Sequence, residues 1–378
     1  MLHVAHGWPP TALGGTERYA ACLVGAQAAL GATTRSFGPG APDWEPPPAR
    51  RGFRASWDHP EVDAAFQMAM AEFAPDVVHF HHFSGLSLAL PRLSRPARVV
   101  LTLHDYAIRC ARGQLTTGTG ATCAGPSPAR CARCIAPAGW GGLAAHLPYA
   151  SAQLRARDHA IDSLLTEVDL ILSPSAHLPR RLGVRAEVER LPLLEPIPPR
   201  AEPRPGPVRF GFVGTLVPTK GVDRAIAAFA RLPAGAGTLT IIGPKATWNG
   251  TTAWADALPR PPGVVFLGPM SPVPWADLDV LVFPSIWDEN HPLVLVEASA
   301  AGVRVVASDV PGARLVAPHA RFFAPGSVPG LHAALAAEVH HGRARVPPVA
   351  APTPADHAAR LLERYATLLG RAGNPRRL

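Results

Sequence analysis

Short runs of apolar residues alternate along the chain with longer segments in which apolar residues recur at helical spacing. In the first half, runs rich in β-branched residues predict strands at residues 2–6, 76–81, 99–104 and 169–173. Helical spacing predicts a helix after the first strand, where Tyr19, Leu23 and Leu30 share one face. A second helix is predicted over residues 139–167. Strands that alternate with helices in this way are typical of parallel α/β units.

The same alternation begins again in the second half of the chain. Apolar runs predict strands at residues 208–213, 238–242, 264–267, 278–283 and 304–307. Helical spacing predicts helices at residues 221–232 and 292–301. The second half is therefore a second α/β unit.

A proline-dense stretch separates the two halves, at residues 192–207. We expect an N-terminal Rossmann-like domain over residues 1–195, a linker over 196–207 and a C-terminal Rossmann-like domain over 208–350. Two such domains face each other across a cleft. Ligands of parallel sheets bind at the carboxyl ends of the strands, so the cleft is the expected site.

The end of the chain carries a helix signature. Thr353 is a capping residue, Pro354 occupies the first helical position, and Asp356 follows at the third. Apolar residues then recur at helical spacing as far as Leu369. A helix over residues 353–370 with one apolar face must pack on something, and we expect it to cross back onto the N-terminal domain.

The charge of the chain leaves several partners open. It carries 36 Lys and Arg against 28 Asp and Glu, a formal charge of +8. Nucleic acid, an anionic membrane surface and phosphate-bearing substrates each suit a positive chain. The basic residues form no run with interleaved aromatics, so no nucleic-acid partner is expected. A solvated Arg-rich surface accounts for most of the charge, and peripheral contact with an anionic membrane stays open.

The longest apolar runs are of strand length, well below the roughly 18–20 residues of a membrane-spanning helix. No basic segment precedes a long apolar stretch at the N-terminus, so no secretory signal is expected. The expected location is the cytoplasm, at the inner membrane face if the basic surface meets anionic lipid.

Two carboxylates stand out in the segment 283–309. Glu289 and Glu297 are eight residues apart, which is about 12 Å or somewhat less along a helix. They are too far apart to share a proton or a metal, but they suit the two ends of an extended ligand such as a nucleotide-sugar. The first helical amides, at residues 291–294, suit sugar or phosphate oxygens. A solvent-facing Glu297 is the alternative, although its neighbours in the helix are apolar.

This segment resembles the E-x7-E motif of the retaining glycosyltransferases of family 4, which have the GT-B fold. It is similar to the branch with an aromatic residue and Glu-Asn-His/Ser-Pro before the helix. The resemblance implies that Glu289 contacts the donor sugar and Glu297 the nucleotide ribose. It adds a group of neighbouring donor-binding positions, namely Asn290, His291, Pro292 and Leu293.

A second motif joins a predicted strand to a helix start, with Gly214-Thr215 and then Lys220-Gly221. Lys220 is one of only two lysines in the chain, and with the helix amides it would meet a pyrophosphate. The family often has Arg where this chain has Thr215. One cation of the pyrophosphate clamp is therefore missing or supplied elsewhere, and Arg18 is a candidate.

Two further motifs belong to the N-terminal half. Gly14-Gly15 lies between the first strand and the first helix, where paired glycines serve either a close ligand approach or a plain tight turn. The resemblance implies the glycine loop that closes over the donor phosphates. His104 ends a predicted strand and matches a family histidine that contacts the donor sugar. His79 and His81 share a strand face, but the family carries this His-rich strand without a metal requirement.

Four of the five cysteines lie close together in the sequence, at Cys110, Cys123, Cys131 and Cys134. Four thiols that include a Cys-x-x-Cys pair fit a closed structural zinc site. Reduced loop thiols without metal are the alternative, since disulfides are not expected in a reducing compartment. Cys22 lies in the first helix and is expected in the core.

Together these observations predict a retaining transferase. It would move a glycosyl group from a nucleotide-sugar to a hydroxyl of a glycan or lipid-linked acceptor, in polysaccharide or glycolipid assembly. Glu289, Lys220 and His104 are the candidate catalytic residues, and no metal cofactor is expected to be required for catalysis. Two alternatives stay open, a sugar-nucleotide epimerase of the same fold and a non-catalytic nucleotide-sugar-binding protein.

Overall fold

The computed structural model describes residues 1–45, 57–117, 121–135, 147–198, 206–248, 250–344 and 346–370. Part of the predicted linker, at residues 199–205, lies outside the described residues, as do residues 139–146 of the predicted second helix. Within the described residues, no helix is both long and apolar enough to cross a membrane.

The first half of the chain builds a parallel six-stranded sheet. Its strands are β1 (Leu2–Val4), β2 (Arg35–Phe37), β3 (Val77–Phe80), β4 (Arg98–Thr102), β5 (Leu170–Ser173) and β6 (Glu187–Val188). Their order across the sheet is β2-β1-β3-β4-β5-β6. The central strands β1 and β3 are wholly buried, as expected of a parallel sheet with helices on both faces.

Helices in this half follow the strands. They are α1 (Gly15–Ala29), α2 (Pro60–Phe73), α3 (Leu90–Leu93), α4 (Pro128–Ile135), α5 (Leu147–Thr166) and α6 (His177–Leu182). Phe66, Phe80 and Ile161 lie in the largest core cluster of this half.

The second half builds another parallel six-stranded sheet. Its strands are β7 (Val208–Val213), β8 (Gly237–Ile242), β9 (Val264–Gly268), β10 (Val280–Phe283), β11 (Arg304–Ser308) and β12 (Arg321–Phe323). Their order is β12-β11-β10-β7-β8-β9. The accompanying helices are α7 (Val222–Phe229), α8 (Ala253–Asp256), α9 (Leu293–Ala300), α10 (Pro311–Val316) and α11 (Val328–His341).

The last helix, α12 (Pro354–Leu368), returns to the first half of the chain and packs on α1. The Thr353 hydroxyl accepts a 3.1 Å hydrogen bond from the Asp356 amide, so the predicted cap is formed. The Tyr365 hydroxyl lies 2.6 Å from His79 Nδ1, and the Tyr19 hydroxyl lies 2.9 Å from His357 Nε2. The expected return of the C-terminal helix is confirmed.

Several elements differ from the sequence expectations. The strands β2, β6 and β12 were not predicted, and all three are short edge strands whose residues are mostly not buried. Such strands lack the long apolar run that marks a buried strand. Leu30 was expected on the helix face of Tyr19 and Leu23, but it follows α1 and is exposed, whereas those two residues are buried. The exact domain boundaries stay a prediction.

Candidate active site

The second sheet reverses its strand order between β7 and β10. From β7 the chain proceeds outward through β8 and β9, whereas β10, β11 and β12 extend to the other side. A crevice forms at such a switch point, beyond the carboxyl ends of the two strands. The loop with Gly214 and Thr215 leaves β7, and the loop with Glu289 leaves β10. The two sequence motifs therefore meet at the position where a doubly wound sheet binds ligands.

Lys220 and Glu289 form an ion pair at this crevice. Lys220 Nζ donates a 2.6 Å hydrogen bond to Glu289 Oε1, which also accepts one from Ser285 Oγ at 2.9 Å. The ammonium also lies 5.3 Å from the centre of the Trp287 ring, within range of a cation–π contact. Because Glu289 is only 5% exposed, its charge is neutralised largely by Lys220.

Gly221 fixes the position of the Lys220 loop. Its φ is +69°, a left-handed conformation that favours glycine. A Cβ at this position would lie 2.1 Å from the Pro284 carbonyl oxygen at the end of β10. The absent side chain thus lets the loop that carries Lys220 rest directly on the backbone before Glu289.

Glu297 forms an ion pair with an arginine from the other half of the chain. Arg18 Nη2, on α1, donates a 3.1 Å hydrogen bond to Glu297 Oε1. Burial raises the pKa of Glu297 and Arg18 opposes that rise, leaving the pKa above its ordinary value. The lone acid of the apolar helix segment is 7% exposed and faces the cleft, so the solvent-facing alternative is wrong.

Asn290 ties the two halves together beside this pair. Its Oδ1 accepts a 2.5 Å hydrogen bond from Ser175 Oγ, just after β5. Its Nδ2 donates to the carbonyl oxygens of Leu103 and His104, at 3.2 and 3.3 Å. Asn290 was predicted to bind the donor, and in the structure its side chain joins the two walls of the cleft. Sequence reasoning did not identify Ser175 as its partner, because a single serine in a loop gives no signal.

The glycine loop and the start of α9 also meet. A Cβ on Gly15 would lie 3.5 Å from Leu293 Cδ1, an ordinary contact distance. A Cβ on Gly14 would lie 2.4 Å from Glu17 Oε2. Pro292 caps α9 in an extended conformation, and burial lowers the pKa of His291 to about 4. The predicted donor-binding positions on both sides of the cleft are therefore neighbours.

His104 follows β4 and is partly buried, and its carbonyl oxygen accepts the hydrogen bond from Asn290 Nδ2. Burial lowers its pKa to about 3, so the ring is neutral at physiological pH. Its Nε2 atom is buried and has no hydrogen-bond partner among the described residues. The ring centre is 5.1 Å from that of Tyr19. A neutral imidazole with one free nitrogen can donate one hydrogen bond to a hydroxyl or accept one from it.

A second polar cluster, which sequence reasoning missed, lines a cavity of about 300 Å³ in the first half. His6 Nε2 lies 3.1 Å from Glu17 Oε1, and His82 Nε2 lies 3.3 Å from Asp105 Oδ2. Burial opposes protonation of His82, but Asp105 outweighs it and raises its pKa. The rings of His6 and His82 are 4.0 Å apart, at the carboxyl ends of β1 and β3. The order of the first sheet reverses at these two strands, so the cavity lies at its switch point.

The buried histidines His3, His79 and His81 have ring nitrogens within 4.8 Å of one another. The rings of His3 and His79 already make hydrogen bonds through both nitrogens, to Gln27, His81, Thr102 and Tyr365. Burial lowers the pKa of each ring. The group is a neutral hydrogen-bonded network that connects β1 and β3 to α12.

The cysteines predicted as metal ligands form no disulfide within the described residues, and all four are partly buried. Cys131 and Cys134 lie one turn apart on α4, while Cys110 and Cys123 lie in the preceding loop. Cys110 also lines the cavity beside His82 and Asp105. Cys22 lies on α1, where its thiol donates a 3.5 Å hydrogen bond to the Leu194 carbonyl.

Two family models match consecutive parts of the chain. Residues 13–138 match the model described as Glycosyltransferase Family 4, and residues 195–339 match the model described as Glycosyl transferases group 1. The D-inositol 3-phosphate glycosyltransferase of Mycobacterium ulcerans (strain Agy99) is 37% identical over 117 residues. That alignment covers 29% of the chain and spans only 25% of the length of this curated relative.

Solved structures match over the whole chain. HepE from Anabaena, in complex with UDP and glucose, has a TM-score of 0.63 at 18% identity, covering 98% of this chain and 96% of HepE. The sucrose-phosphate synthase of Thermosynechococcus elongatus has a TM-score of 0.61 at 18% identity, covering 98% and 97%. WaaG, a glycosyltransferase involved in lipopolysaccharide biosynthesis, has a TM-score of 0.57 at 17% identity, covering 100% and 97%. The chain therefore has the two-domain GT-B fold and carries, in order, the two glycosyltransferase domains that the family models describe.

Proposed function

We propose that this protein is a family 4 glycosyltransferase that moves a sugar from a nucleotide-sugar to an acceptor hydroxyl with retention of configuration. The observation that carries the proposal is the pairing of Lys220 with Glu289 and of Arg18 with Glu297 along one crevice. Two carboxylates and two cations in this order match a ligand with hydroxyls at both ends and a diphosphate between them.

In this proposal Glu289 accepts hydrogen bonds from hydroxyls of the donor sugar, and Glu297 accepts them from the ribose. Lys220 and Arg18 stabilise the negative charge that develops on the diphosphate as the glycosidic bond breaks. Arg18 supplies the cation that Thr215 does not. Because Arg18 belongs to the opposite half of the chain, the complete diphosphate site forms only when both halves meet.

The chemical step follows from these groups. The acceptor oxygen forms a bond to the anomeric carbon on the face that the diphosphate leaves, and the departing phosphate oxygen takes the acceptor proton. The partly buried, neutral imidazole of His104 positions a sugar hydroxyl. The cationic side chains of this site carry the charge stabilisation, so we propose that catalysis requires no divalent metal.

The acceptor is proposed to enter from the cavity beside His82 and Asp105. Paired charged groups in a partly buried cavity suit the hydroxyls of a glycan or of a lipid-linked glycan. A lipid-linked acceptor would also fit the formal charge of +8, because a positively charged protein is attracted to a membrane of anionic lipid. Sedimentation with vesicles of anionic lipid, compared with neutral vesicles, tests this contact: equal sedimentation with both vesicle types would contradict it.

The decisive experiment measures nucleoside diphosphate release from a panel of nucleotide-sugars, with and without EDTA. UDP-glucose comes first, since the related fold of HepE was solved with UDP and glucose. We expect slow hydrolysis of one donor that EDTA does not change and that Glu297→Gln and Lys220→Met strongly reduce. Once an acceptor is found, the coupling constant of the product's anomeric proton gives the stereochemistry, and inversion would contradict the retaining mechanism.

The same assay separates the two alternative functions. A sugar-nucleotide epimerase would convert the donor to its isomer without release of nucleoside diphosphate. A non-catalytic binding protein would leave the donor unchanged while binding it. If no donor is bound, consumed or isomerised, the proposed use of the crevice is wrong.

A further inference from the structure

Four cysteines lie in one stretch of the first half of the chain, and three of them, Cys110, Cys123 and Cys131, pack against the same hydrophobic core cluster. Cys131 and Cys134 are three residues apart on α4, so their side chains lie on the same helix face. The Cys123 amide donates a 2.7 Å hydrogen bond to the carbonyl oxygen of Leu115, five residues after Cys110. This bond fixes the backbone at Cys123. The thiol of Cys134 points toward the Thr116 carbonyl, at 3.9 Å.

Backbone amides point at two of these sulfur atoms. The Ser127 amide lies 3.2 Å from Cys131 Sγ, and the Gly125 amide lies 3.5 Å from Cys123 Sγ. Amide donors of this kind stabilise a thiolate more than a thiol, because a hydrogen bond to a charged acceptor is the stronger one.

A cationic side chain lies in the same region. Arg157, on α5, lines the same cavity as Cys110, and α5 packs against α4, which carries Cys131 and Cys134. Its Nη2 donates to the Ala107 carbonyl at 2.5 Å, but its Nη1 is buried without a hydrogen-bond partner among the described residues. Neutral thiols give this guanidinium little compensation, whereas an anion beside it would.

We propose that Cys110, Cys123, Cys131 and Cys134 bind one structural zinc ion, with Arg157 as the charge-balancing neighbour. Zn²⁺ held by four thiolates carries a net charge of about −2, and binding releases the thiol protons. The amides of Gly125 and Ser127 and the guanidinium of Arg157 are the groups that would stabilise this anion. The zinc would hold the loop of Cys110 against α4 and thereby fix one wall of the cavity.

The cysteines fit this role better than the buried histidines do. The group His3, His79 and His81 is the one set of described residues whose ligand atoms already lie within 4.8 Å of one another. Its nitrogens are mostly held by protein partners, so a metal there would break several buried hydrogen bonds. The thiols must draw closer on binding, to Zn–S distances of about 2.3 Å, but they lose only weak hydrogen bonds.

The test begins with the wild-type protein, purified without chelator and analysed for metals. We expect about one zinc per chain, and cobalt reconstitution should give the visible bands and the sulfur-to-metal charge transfer of a tetrahedral thiolate site. Neither measurement depends on transferase activity or on a variant that folds. Metal-free protein that shows no thiolate spectrum with cobalt would overturn the proposal, and so would iron in place of zinc.

Variants then assign the ligands. Cys131→Ser combined with Cys134→Ser should lose zinc, whereas Cys22→Ser should keep it, because Cys22 lies on α1 away from the loop. Retention of zinc by the double variant would place the metal elsewhere and overturn the ligand set.

Arg157→Met should weaken zinc binding by about 10- to 100-fold, measured as zinc transfer to a competing chelator. Arg157→Lys keeps the charge and should restore much of the affinity. Arg155→Met, at an exposed arginine on the same helix, is the matched control and should leave zinc binding unchanged. Equal affinities of Arg157→Met and Arg155→Met would remove Arg157 from the proposal.

Discussion

Lys220 Nζ and Glu289 Oε1 lie 2.6 Å apart, although the two residues are 69 positions apart in the chain. Lys220 lies in the segment after β7 and Glu289 in the loop after β10. The reversal of strand order between these two strands brings their carboxyl ends together. The Glu289 carboxylate therefore fixes the lysine ammonium at the crevice, in the position where the proposed function places a diphosphate.

Lys220→Met should lower kcat/KM for nucleoside diphosphate release by about 100-fold or more, the usual cost of removing one donor that stabilises developing charge. Lys245→Met is the matched control, because Lys245 is the other lysine and pairs with Asp256 on the surface. Its kcat/KM should stay within about twofold of wild type, since exposed ion pairs contribute little. Thermal unfolding of both variants shows whether a loss of activity comes from lost catalysis or from a protein destabilised by the unpaired Glu289. Equal activity of the two variants would contradict the assignment of Lys220.

Asn290→Asp should open the cleft. The substitution replaces the amide donor by a carboxylate oxygen that faces the Leu103 and His104 carbonyls, which can only accept hydrogen bonds. Two lost buried hydrogen bonds and the resulting repulsion should weaken donor binding about 10-fold or more. Small-angle scattering should show a larger radius of gyration.

Ser175→Ala serves as the milder comparison for Asn290, because it removes one hydrogen bond and adds no charge. It should weaken donor binding less than Asn290→Asp does. If both variants keep the wild-type radius of gyration and donor affinity, Asn290 does not join the two halves in solution.

Gly221→Ala should displace the Lys220 loop. The added Cβ combines the strain of a left-handed backbone with a clash of 2.1 Å against the Pro284 carbonyl oxygen. Gly235→Ala carries the same kind of backbone strain, with φ at +79°, but nothing lies within 4 Å of its Cβ. Strain alone costs about 1–2 kcal/mol, so the control should lose roughly that much free energy of unfolding and keep its donor affinity.

Gly221→Ala is expected to lose more stability than Gly235→Ala and most of its donor affinity. Urea unfolding and calorimetric donor titration measure the two quantities. Wild-type donor affinity in Gly221→Ala would show that the loop tolerates the shift.

Glu189 should make the docking of α12 sensitive to acid. Burial by itself would raise its pKa, but His357 and Arg360 on α12 outweigh burial and lower that pKa to about 2 from 4.5. A carboxylate with a depressed pKa contributes stability above its unfolded pKa and loses it as the pH falls through the folded pKa. The protection factors of the α12 amides, which correct for the intrinsic pH dependence of exchange, should therefore fall between about pH 4.5 and pH 2.

Glu189→Gln should remove that pH dependence and cost roughly 1–2 kcal/mol, a value reduced for screening because Arg360 is 42% exposed. Glu187→Gln, which removes an exposed partner of Arg364, should cost less than about 1 kcal/mol and keep the pH dependence. An unchanged acid response in Glu189→Gln would assign the effect to other carboxylates.

The residues of the candidate site could be predicted where the local sequence pattern marks them. Glu289, Glu297 and Lys220 stand out as charged residues beside apolar runs, and their strand-end positions follow from the alternation of strands and helices. The roles of Ser175 and of the His6–Glu17 and His82–Asp105 pairs could not be predicted, because the local pattern around each of these residues does not indicate a partner. Only their meeting across strands or domains gives them a partner.

The sequence by itself determined the two parallel sheets, the interior strands and the capped C-terminal helix, since buried strands need apolar runs and helix starts need caps. The edge strands β2, β6 and β12 were decided by tertiary structure, because a neighbouring strand supplies their hydrogen bonds without requiring an apolar run. Tertiary structure also decided that Arg18 faces Glu297 and that Asn290 joins the cleft walls. These contacts join residues 279 and 187 positions apart, and local pattern carries no information about such pairs.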